Sequence, residues 1–330
     1  MSMKALTGAI LTASFAAILS CGSALADPDL TPDQKAELQR LVDIQKSLHP
    51  TTGDVPLLGV GATLHLGKSY YFLDAGDSKK VLTDVWKNPP DAANGVIGMI
   101  FPADKAVFAD TWGAVITYQD VGYVSDKDAK TTDYNKLLTD MRSGEDADNA
   151  ARQKQNFPPI HLVGWAQAPS YDPVHHSLIW ARELKVGDKD DDTVNYDVRE
   201  LGRKGVLSLN IVSTMSDLPR VRTASQSLAQ VAGFNEGSRY ADYQSGTDKK
   251  AAYGIAGLIA AGAGVALAQK FGIVAILILV IKKAGIVIAA GAAGVWARFR
   301  NMFKKQPSRV AAGPNLASPT PETPPPPPLA

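Results

Sequence analysis

Residues 251–297 read AAYGIAGLIAAGAGVALAQKFGIVAILILVIKKAGIVIAAGAAGVWA, and the charges within them are Lys270, Lys282 and Lys283. A run this apolar is stable in lipid as a helix, because a helix satisfies its own backbone polar groups. We therefore predict that residues 251–299 anchor the protein in a membrane, which makes the lipid bilayer its first expected partner. The lysine pair in the middle leaves two layouts open, a single C-terminal transmembrane helix or a helical hairpin.

The glycines of this stretch suggest a second partner. Residues such as Gly257, Gly262 and Gly291 allow helices to approach closely in a membrane, so a homo-oligomer is one hypothesis and lipid-compatible filler is the other. Lys282 and Lys283 motivate a further hypothesis, a transport or channel accessory subunit, because charges inside a membrane often mark ion or substrate paths.

Both ends of the chain have the composition of accessory segments. Residues 1–26 have an early lysine, an apolar run and a final Ala-Leu-Ala, which predicts a signal peptide cut after Ala26. The alternative is lipidation of Cys21, the single cysteine, which follows Ile-Leu-Ser. Residues 304–330 are basic and then proline-rich, a composition typical of a disordered tail.

Residues 27–50 are predicted to form an amphipathic helix. Thr31 is a suitable N-cap and Pro32 suits the first helical turn, while Leu38, Leu41 and Leu48 follow at helical spacing. Packing on the neighbouring domain and binding of a partner helix both fit this pattern.

Residues 51–245 are expected to form one α+β domain with a largely antiparallel sheet and flanking helices, because strands are grouped with strands. Residues 78–86 and 216–232 are predicted helices capped at Ser78 and at Ser216 or Asp217. A further helix is predicted to start at 125–128 and to break at 143–144. Four strands are predicted between residues 160 and 212, the second and third joined by an acidic turn.

The sequence contains few signals for catalysis or metal binding. Asp172, His175 and His176 lie just before a predicted strand, where adjacent histidines point to opposite faces. A metal site there would need distant ligands such as His161, whereas a turn at Asp172-Pro173 explains the same residues without a ligand. We therefore predict no cofactor and no metal, and the net charge of +1 argues against a nucleic-acid partner.

The segment before the apolar stretch has more candidate functional residues close together. Residues 234–243 read FNEGSRYADY, and the candidates for a partner-binding surface are Glu236, Arg239, Tyr240 and Asp242. Anchoring beside the membrane is the alternative, because tyrosines favour the membrane–water interface.

Several long phrases carry a resemblance to a known family. They include FLDAGDSKKVLTDVWKNPPD at 72–91, FPPIHLVGWAQAPSYDPVHHSLIWARELKVGD at 157–188 and FNEGSRYADYQSGTDKKAAYGIAGLIA at 234–260. On these phrases the chain resembles the bacterial membrane-anchored proteins named as domain of unknown function 2167. The resemblance implies an exported domain with a C-terminal anchor. It brings no known activity, cofactor or catalytic residue that could be carried over to this sequence.

These observations predict a protein of the bacterial inner membrane whose main domain lies in the periplasm. Its expected role is non-enzymatic binding of an envelope protein or a part in envelope assembly. The alternatives are an envelope hydrolase or metal-dependent enzyme, and the transport accessory.

Overall fold

The structure, a computed structural model, describes residues 30–154, 156–188 and 190–261. The predicted signal peptide, the proline-rich tail, Cys21 and the greater part of the predicted anchor lie outside these residues. The α-helices of the described residues are α1 (Pro32–Lys46), α2 (Ala75–Lys80), α3 (Tyr134–Arg142), α4 (Glu145–Lys154), α5 (Leu218–Val231) and α6 (Ile255–Ala261). The strands are β1 (Asp54–Leu57), β2 (Ala62–His65), β3 (Tyr70–Asp74), β4 (Val96–Pro102), β5 (Gly113–Gln119), β6 (Tyr123–Ser125), β7 (Ile160–Asp172), β8 (Ser177–Val186), β9 (Thr193–Leu201), β10 (Val206–Thr214), β11 (Ala232–Phe234) and β12 (Lys250–Gly254).

A seven-stranded antiparallel sheet forms the centre of the fold, in the order β3-β4-β5-β10-β9-β8-β7. The predicted α+β class with a largely antiparallel sheet and flanking helices is therefore confirmed. A small sheet of β1, β2 and β11 and a parallel pair of β12 and β6 complete the strands described here.

The large sheet is covered on both faces. One face packs against α5 and the small sheet, with Tyr196 of β9, Leu209 of β10 and Leu228 of α5 among the buried residues. The other face carries two separate apolar clusters. One includes residues of α3 and α6, such as Leu137 and Leu258, and the other surrounds Trp86. The centre of this face lies between these two clusters.

The first helix begins where the sequence predicts. Thr31 and Gln34 form a capping box at its N-terminus, and Pro32 occupies the first turn. Leu41 and Leu48 are buried, and the Gln45 side chain accepts a hydrogen bond of 2.9 Å from the Val107 backbone. Through Gln45 and these leucines the helix packs on the neighbouring domain, which is one of the two alternatives that the sequence left open.

The predicted helix at 78–86 starts earlier than expected. Asp74 is its N-cap and accepts a 2.9 Å hydrogen bond from the Asp77 backbone, so α2 begins at Ala75. Ser78 was the wrong choice of cap, because its hydroxyl is buried and donates to the Leu73 carbonyl. The chain continues as a π-helical turn at Val81–Val85.

The predicted helix start at 125–128 is also wrong. Residues Tyr123–Ser125 form β6, and α3 begins only at Tyr134 with Asp133 as its N-cap. The reason is that Asp126 and Asp128 bind distant parts of the chain, as described below, and do not cap a local helix. The predicted break at 143–144 is observed between α3 and α4.

The start of the apolar stretch differs from the expected helix. Lys250–Gly254 is a strand that pairs with β6. The following helix α6 is short, and the Asp128 carboxylate accepts hydrogen bonds from the Ile255 and Ala256 backbone at 2.9 and 3.0 Å. Ile255, Leu258 and Ile259 are buried against the domain.

Among the residues that the structure describes, no helix has both the length and the apolar character required to cross a membrane.

Candidate binding surface beside the apolar stretch

The two groups of candidate residues, far apart in sequence, meet in the structure. Asp172, His175 and His176 form the turn between β7 and β8, while the segment around Tyr240 forms a short 3₁₀ turn. The His176 ring stacks on the Tyr240 ring, with centroids 4.2 Å apart. The sequence had suggested both groups and gave no sign that they were neighbours.

Tyr240 lies at the centre of an aromatic stack. Its ring packs on Tyr123 at 4.4 Å, and Tyr123 also stacks on Tyr243 at 3.9 Å. The buried Tyr240 hydroxyl donates a 3.0 Å hydrogen bond to the Val124 carbonyl. Burial raises the pKa of Tyr240, so this phenol stays protonated and remains a donor. We call Tyr123, His176, Tyr240 and Tyr243 the aromatic cluster.

A hydrogen-bonded chain supports His176 from behind. The Tyr171 hydroxyl donates to the Asp126 carboxylate at 2.7 Å and lies 3.0 Å from His176 Nδ1. Because a phenol has one proton and Asp126 accepts it, His176 Nδ1–H is the donor to Tyr171. Burial and the hydrogen bond to Asp126 raise the pKa of Tyr171 and keep it protonated. These two hydrogen bonds fix the orientation of the His176 imidazole through Nδ1. The other ring nitrogen, Nε2, takes no part in them.

The backbone at His176 has φ of 55°, in the left-handed region. Histidine is one of the few non-glycine residues that enter this region with any frequency. Asp172 caps the same turn through hydrogen bonds from the Val174 and His175 backbones, as a turn at Asp172-Pro173 predicts. The turn thus places His176 on the aromatic cluster and His175 toward solvent.

The rim of the cluster is polar and exposed. His175 Nδ1 lies 2.6 Å from Asp172 Oδ2, and this contact lowers the pKa of Asp172. On the other side, the Asp242 carboxylate accepts a 2.9 Å hydrogen bond from the Arg239 backbone. Glu236 is exposed on the preceding turn. Asp242 therefore orders the turn that carries Tyr240, and Tyr240 joins this turn to the β7–β8 turn through its contact with His176.

His161 does not share this surface. It lies at the start of β7, 3.3 Å from the Glu145 carboxylate, whereas Asp172 ends the same strand. Their partners on β8 are Lys185 and Ser177, so at about 3.3 Å per residue the two positions are roughly 26 Å apart. Of the residues named for the enzyme alternative, the structure therefore brings Asp172, His175 and His176 together and places His161 elsewhere. Within the described ranges, no group of three or more histidine, cysteine or acidic residues is placed to hold a metal ion.

Glu200 lies behind the β7–β8 turn and provides a pH test of this region. It is buried, and the Ser177 hydroxyl donates to its carboxylate at 2.8 Å. Burial raises the pKa of Glu200 to about 8; the Ser177 bond opposes this shift and the Asp172 charge adds to it.

At Glu200 the native state therefore binds more protons than the unfolded chain between the usual pKa of 4.5 and about 8. We expect the free energy of unfolding to fall as pH rises through this window. Glu200→Gln should flatten that dependence, measured by urea unfolding from pH 5 to pH 8, while the exposed control Glu236→Gln should leave it unchanged. An equal slope in Glu200→Gln and the parent would contradict the assignment.

Sequence reasoning missed Tyr123, Asp126 and Tyr171 as members of this site. Their one local signal was the density of tyrosines around predicted strand ends, which also fits an ordinary core. Tyr240 and Val124 are separated by 116 positions, and Tyr171 and Asp126 by 45, so only the folded chain brings them together.

Comparisons with known proteins add a family and a weak structural likeness. A solution structure of cyanobacterial PsbP (CyanoP) from Synechocystis sp. PCC 6803 matches with a TM-score of 0.31 and 10% identity, over 57% of this chain and 92% of that chain. No curated protein matches the chain. The family model described as "Protein of unknown function (DUF2167)" matches residues 49–293, which covers the sheet, the aromatic cluster and α6. The chain belongs to this DUF2167 family.

Proposed function

We propose that this protein is a non-enzymatic binding protein of the bacterial envelope. In this proposal, part of the apolar stretch after α6 holds it in the inner membrane, and the main domain binds an envelope protein in the periplasm. The observation that carries the proposal is the meeting of the β7–β8 turn with the segment before β12 in one aromatic cluster with an exposed polar rim.

The composition of this surface suits a protein partner. Aromatic residues and arginine are enriched in protein interfaces and supply most of the residues that dominate binding energy. The cluster offers the half-buried Tyr123 and Tyr243, and the exposed polar residues of the same two segments are Arg239, Glu236, Asp172 and His175. Val174, at the tip of the β7–β8 turn, is 77% exposed.

The position of the surface also supports the proposal. β12 and α6 directly follow the Tyr240 segment and contain the first residues of the apolar stretch. A partner bound at the aromatic cluster would therefore lie close to the tether, which restricts it to other components at the same membrane surface.

The test is site-specific photo-crosslinking of the full-length protein in living cells. A photoreactive residue at Val174 is expected to capture one partner, and capture should be lost when Arg239→Ala and His175→Ala are added. The matched control is Leu58, which is 90% exposed at the β1–β2 turn and lies outside the aromatic cluster.

Equal labelling of the same proteins from Val174 and Leu58 would overturn the proposed surface. The proposed surface would also be contradicted if the crosslink from Val174 persisted unchanged in the variant that carries Arg239→Ala and His175→Ala. Turnover of a substrate by the purified full-length protein, abolished by one side-chain change, would replace the binding function by an enzymatic one.

A further inference from the structure

A cleft with a volume of about 480 Å³ opens between α5 and the neighbouring ends of β3, β4 and β5. Arg220 and Thr223 of α5 form one wall, Tyr70 of β3 and Lys105 of the β4–β5 loop form the other, and Trp112 lies beside them. We call this the α5 cleft. Its volume is within the range of about 300–1,000 Å³ that is usual for binding pockets. Its lining shares no residue with the aromatic cluster, so it is a second candidate site.

Two aromatic rings and a buried hydrogen-bond donor line this cleft. The Tyr70 and Trp112 ring centroids are 5.8 Å apart, and the ring planes are tilted by 55°. Trp112 is 4% exposed and belongs to the apolar cluster beneath α5, whereas Tyr70 is only half-buried. Among the described residues, none accepts a hydrogen bond from the Trp112 indole N–H, although a buried indole usually has a partner. An occupant of the cleft would therefore meet ring surfaces and an unused donor in the same place.

The exposed edge of the cleft carries a positive charge. Its charged residues are Lys105, Arg220 and Asp104, which give the lining a net charge of +1. Lys105 lies 3.4 Å from Asp104, and Arg220 pairs with Asp217 of the preceding turn. The Lys105 and Arg220 side chains are nevertheless 42% and 48% exposed, so each retains N–H groups for further acceptors. The cleft thus favours an occupant that has carbonyl oxygens and a negative charge.

The sequence itself contains a segment with matching chemistry. Residues 318–330 read SPTPETPPPPPLA, with consecutive prolines at 324–328 and Glu322 as the charged side chain. Such sequences favour the polyproline II conformation, which has no internal hydrogen bonds and leaves its carbonyl oxygens free to accept. Proline-rich segments bind in grooves lined by aromatic residues, because little conformational entropy is lost on binding. The opposite charges of this segment and of the α5 cleft favour the same pairing.

We propose that residues 318–330 of this chain bind in the α5 cleft of the same chain. The prolines pack on Tyr70 and Trp112, and the Trp112 indole N–H donates to a carbonyl oxygen of the segment. Glu322 lies near Arg220, where the charge of each side chain is favourable to the other. The proline-rich tail thereby has a binding site on the main domain, separate from the surface proposed for the envelope partner. Neither proposal depends on the other.

Binding of the tail requires the hairpin layout of the membrane anchor. The tail reaches the cleft only if both lie on the same side of the membrane, which holds for a helical hairpin and not for a single crossing. Residues 262–317 supply the connection, and two crossings of about 20 residues each leave about 16 of them. Extended at about 3.3 Å per residue, these span up to about 50 Å, whereas a domain of about 200 residues has a radius of gyration of about 16 Å. The connection is therefore long enough.

Site-specific photo-crosslinking of the full-length protein in living cells tests the proposal. A photoreactive residue at Thr223 is expected to crosslink the tail of the same chain. Trypsin releases residues 310–330 as a single peptide, because no lysine or arginine follows Arg309, so mass spectrometry identifies the tail as the captured segment. The matched control is a photoreactive residue at Arg222, which is exposed on another side of α5 beside Gln167. We expect it to capture less than a tenth as much of the tail.

Two changes in the tail leave the packing of the described domain unaltered and test the chemistry of binding. Replacement of residues 324–328 by serines should reduce the crosslink from Thr223 at least tenfold, because it removes the apolar rings and the polyproline II preference. Glu322→Gln should reduce the crosslink several-fold, because it removes the charge opposite Arg220. A second photoreactive position, Ser227, serves if the probe at Thr223 itself fills the cleft.

Absence of the tail from the crosslinks of both Thr223 and Ser227 would overturn the proposal, even if a second copy of the chain or another protein is captured there. Equal capture of the tail from Thr223 and Arg222 would also overturn it, as would a Thr223 crosslink that persists in the serine variant. Loss of the Val174 crosslink with an intact Thr223 crosslink would contradict the proposed function alone.

Discussion

Replacement of Asp197 by asparagine is expected to lower the free energy of unfolding by about 3–5 kcal/mol. Asp197 is 0% exposed and pairs with both Arg182 and Arg199. Asparagine has the same shape but no charge, so the change removes the carboxylate with which both guanidinium groups pair. Removal of one partner of a buried ion pair is far more costly than removal of both, because the remaining charge stays buried and uncompensated.

Urea unfolding of the full-length protein, with the midpoint and slope measured together, checks this expectation. The matched control is Asp54→Asn, whose side chain is 74% exposed beside His65 and whose loss should leave the midpoint unchanged. The double variant Asp197→Asn with Arg199→Met should be less destabilised than Asp197→Asn alone, because it also removes one of the two arginine charges that pair with Asp197. A single Asp197→Asn variant within 1 kcal/mol of the parent, on the order of an ordinary surface change, would contradict the charge argument.

Tyr240→Ala has the second large expected effect, a loss of about 3–5 kcal/mol in the free energy of unfolding. The Tyr240 ring is buried between Tyr123 and His176, and alanine would leave a cavity between them. Tyr240→Phe keeps the ring and loses only the hydrogen bond to the Val124 carbonyl, which should cost about 1 kcal/mol. The difference between the two variants separates ring packing from hydrogen bonding.

Tyr240→Ala and Tyr240→Phe should also differ in how readily β6 and β12 open locally. The Tyr123 backbone N–H donates to the Lys249 carbonyl at 2.9 Å, so loss of the ring that supports Tyr123 should speed amide exchange in β6 and β12. Hydrogen exchange with mass spectrometry measures this, with Tyr243→Ala as the control for a half-buried ring that stacks only on the outer side of Tyr123. Equal exchange in Tyr240→Ala and the parent would show that the cluster does not hold the segment before the apolar stretch.

Local sequence signals predicted a large part of the fold. Thr31, Pro32 and Gln34 specify the first helix turn through their own side chains, and the break between α3 and α4 follows from Ser143-Gly144. The four strands from β7 to β10 were recognisable because apolar residues alternate and turns separate them. These features depend on neighbours within a few positions, which is why pattern analysis found them.

The candidate site was predicted only as separate pieces. Asp172, His175 and His176 were placed correctly in a turn, and the residues at 236–242 in a segment before the apolar stretch. The sequence did not show that His176 stacks on Tyr240, because stacking depends on how the β7–β8 turn and the 3₁₀ turn are carried to one place by the sheet. The burial of Asn195, Asp197 and Arg199 on β9 was not predicted, because alternation along a strand does not show what covers its polar face.

The sequence by itself determined the helix caps, the strand runs, the family resemblance and the composition that predicts an anchor and a signal peptide. Only the tertiary structure decided what Asp126 and Asp128 do. Asp126 binds Tyr171, and Asp128 caps α6 across 127 positions of sequence, so neither starts a local helix. The physical reason is that a carboxylate accepts hydrogen bonds from whichever backbone N–H or hydroxyl groups the fold brings nearest to it. Those donors are set by sheet order and register and not by the adjacent residues.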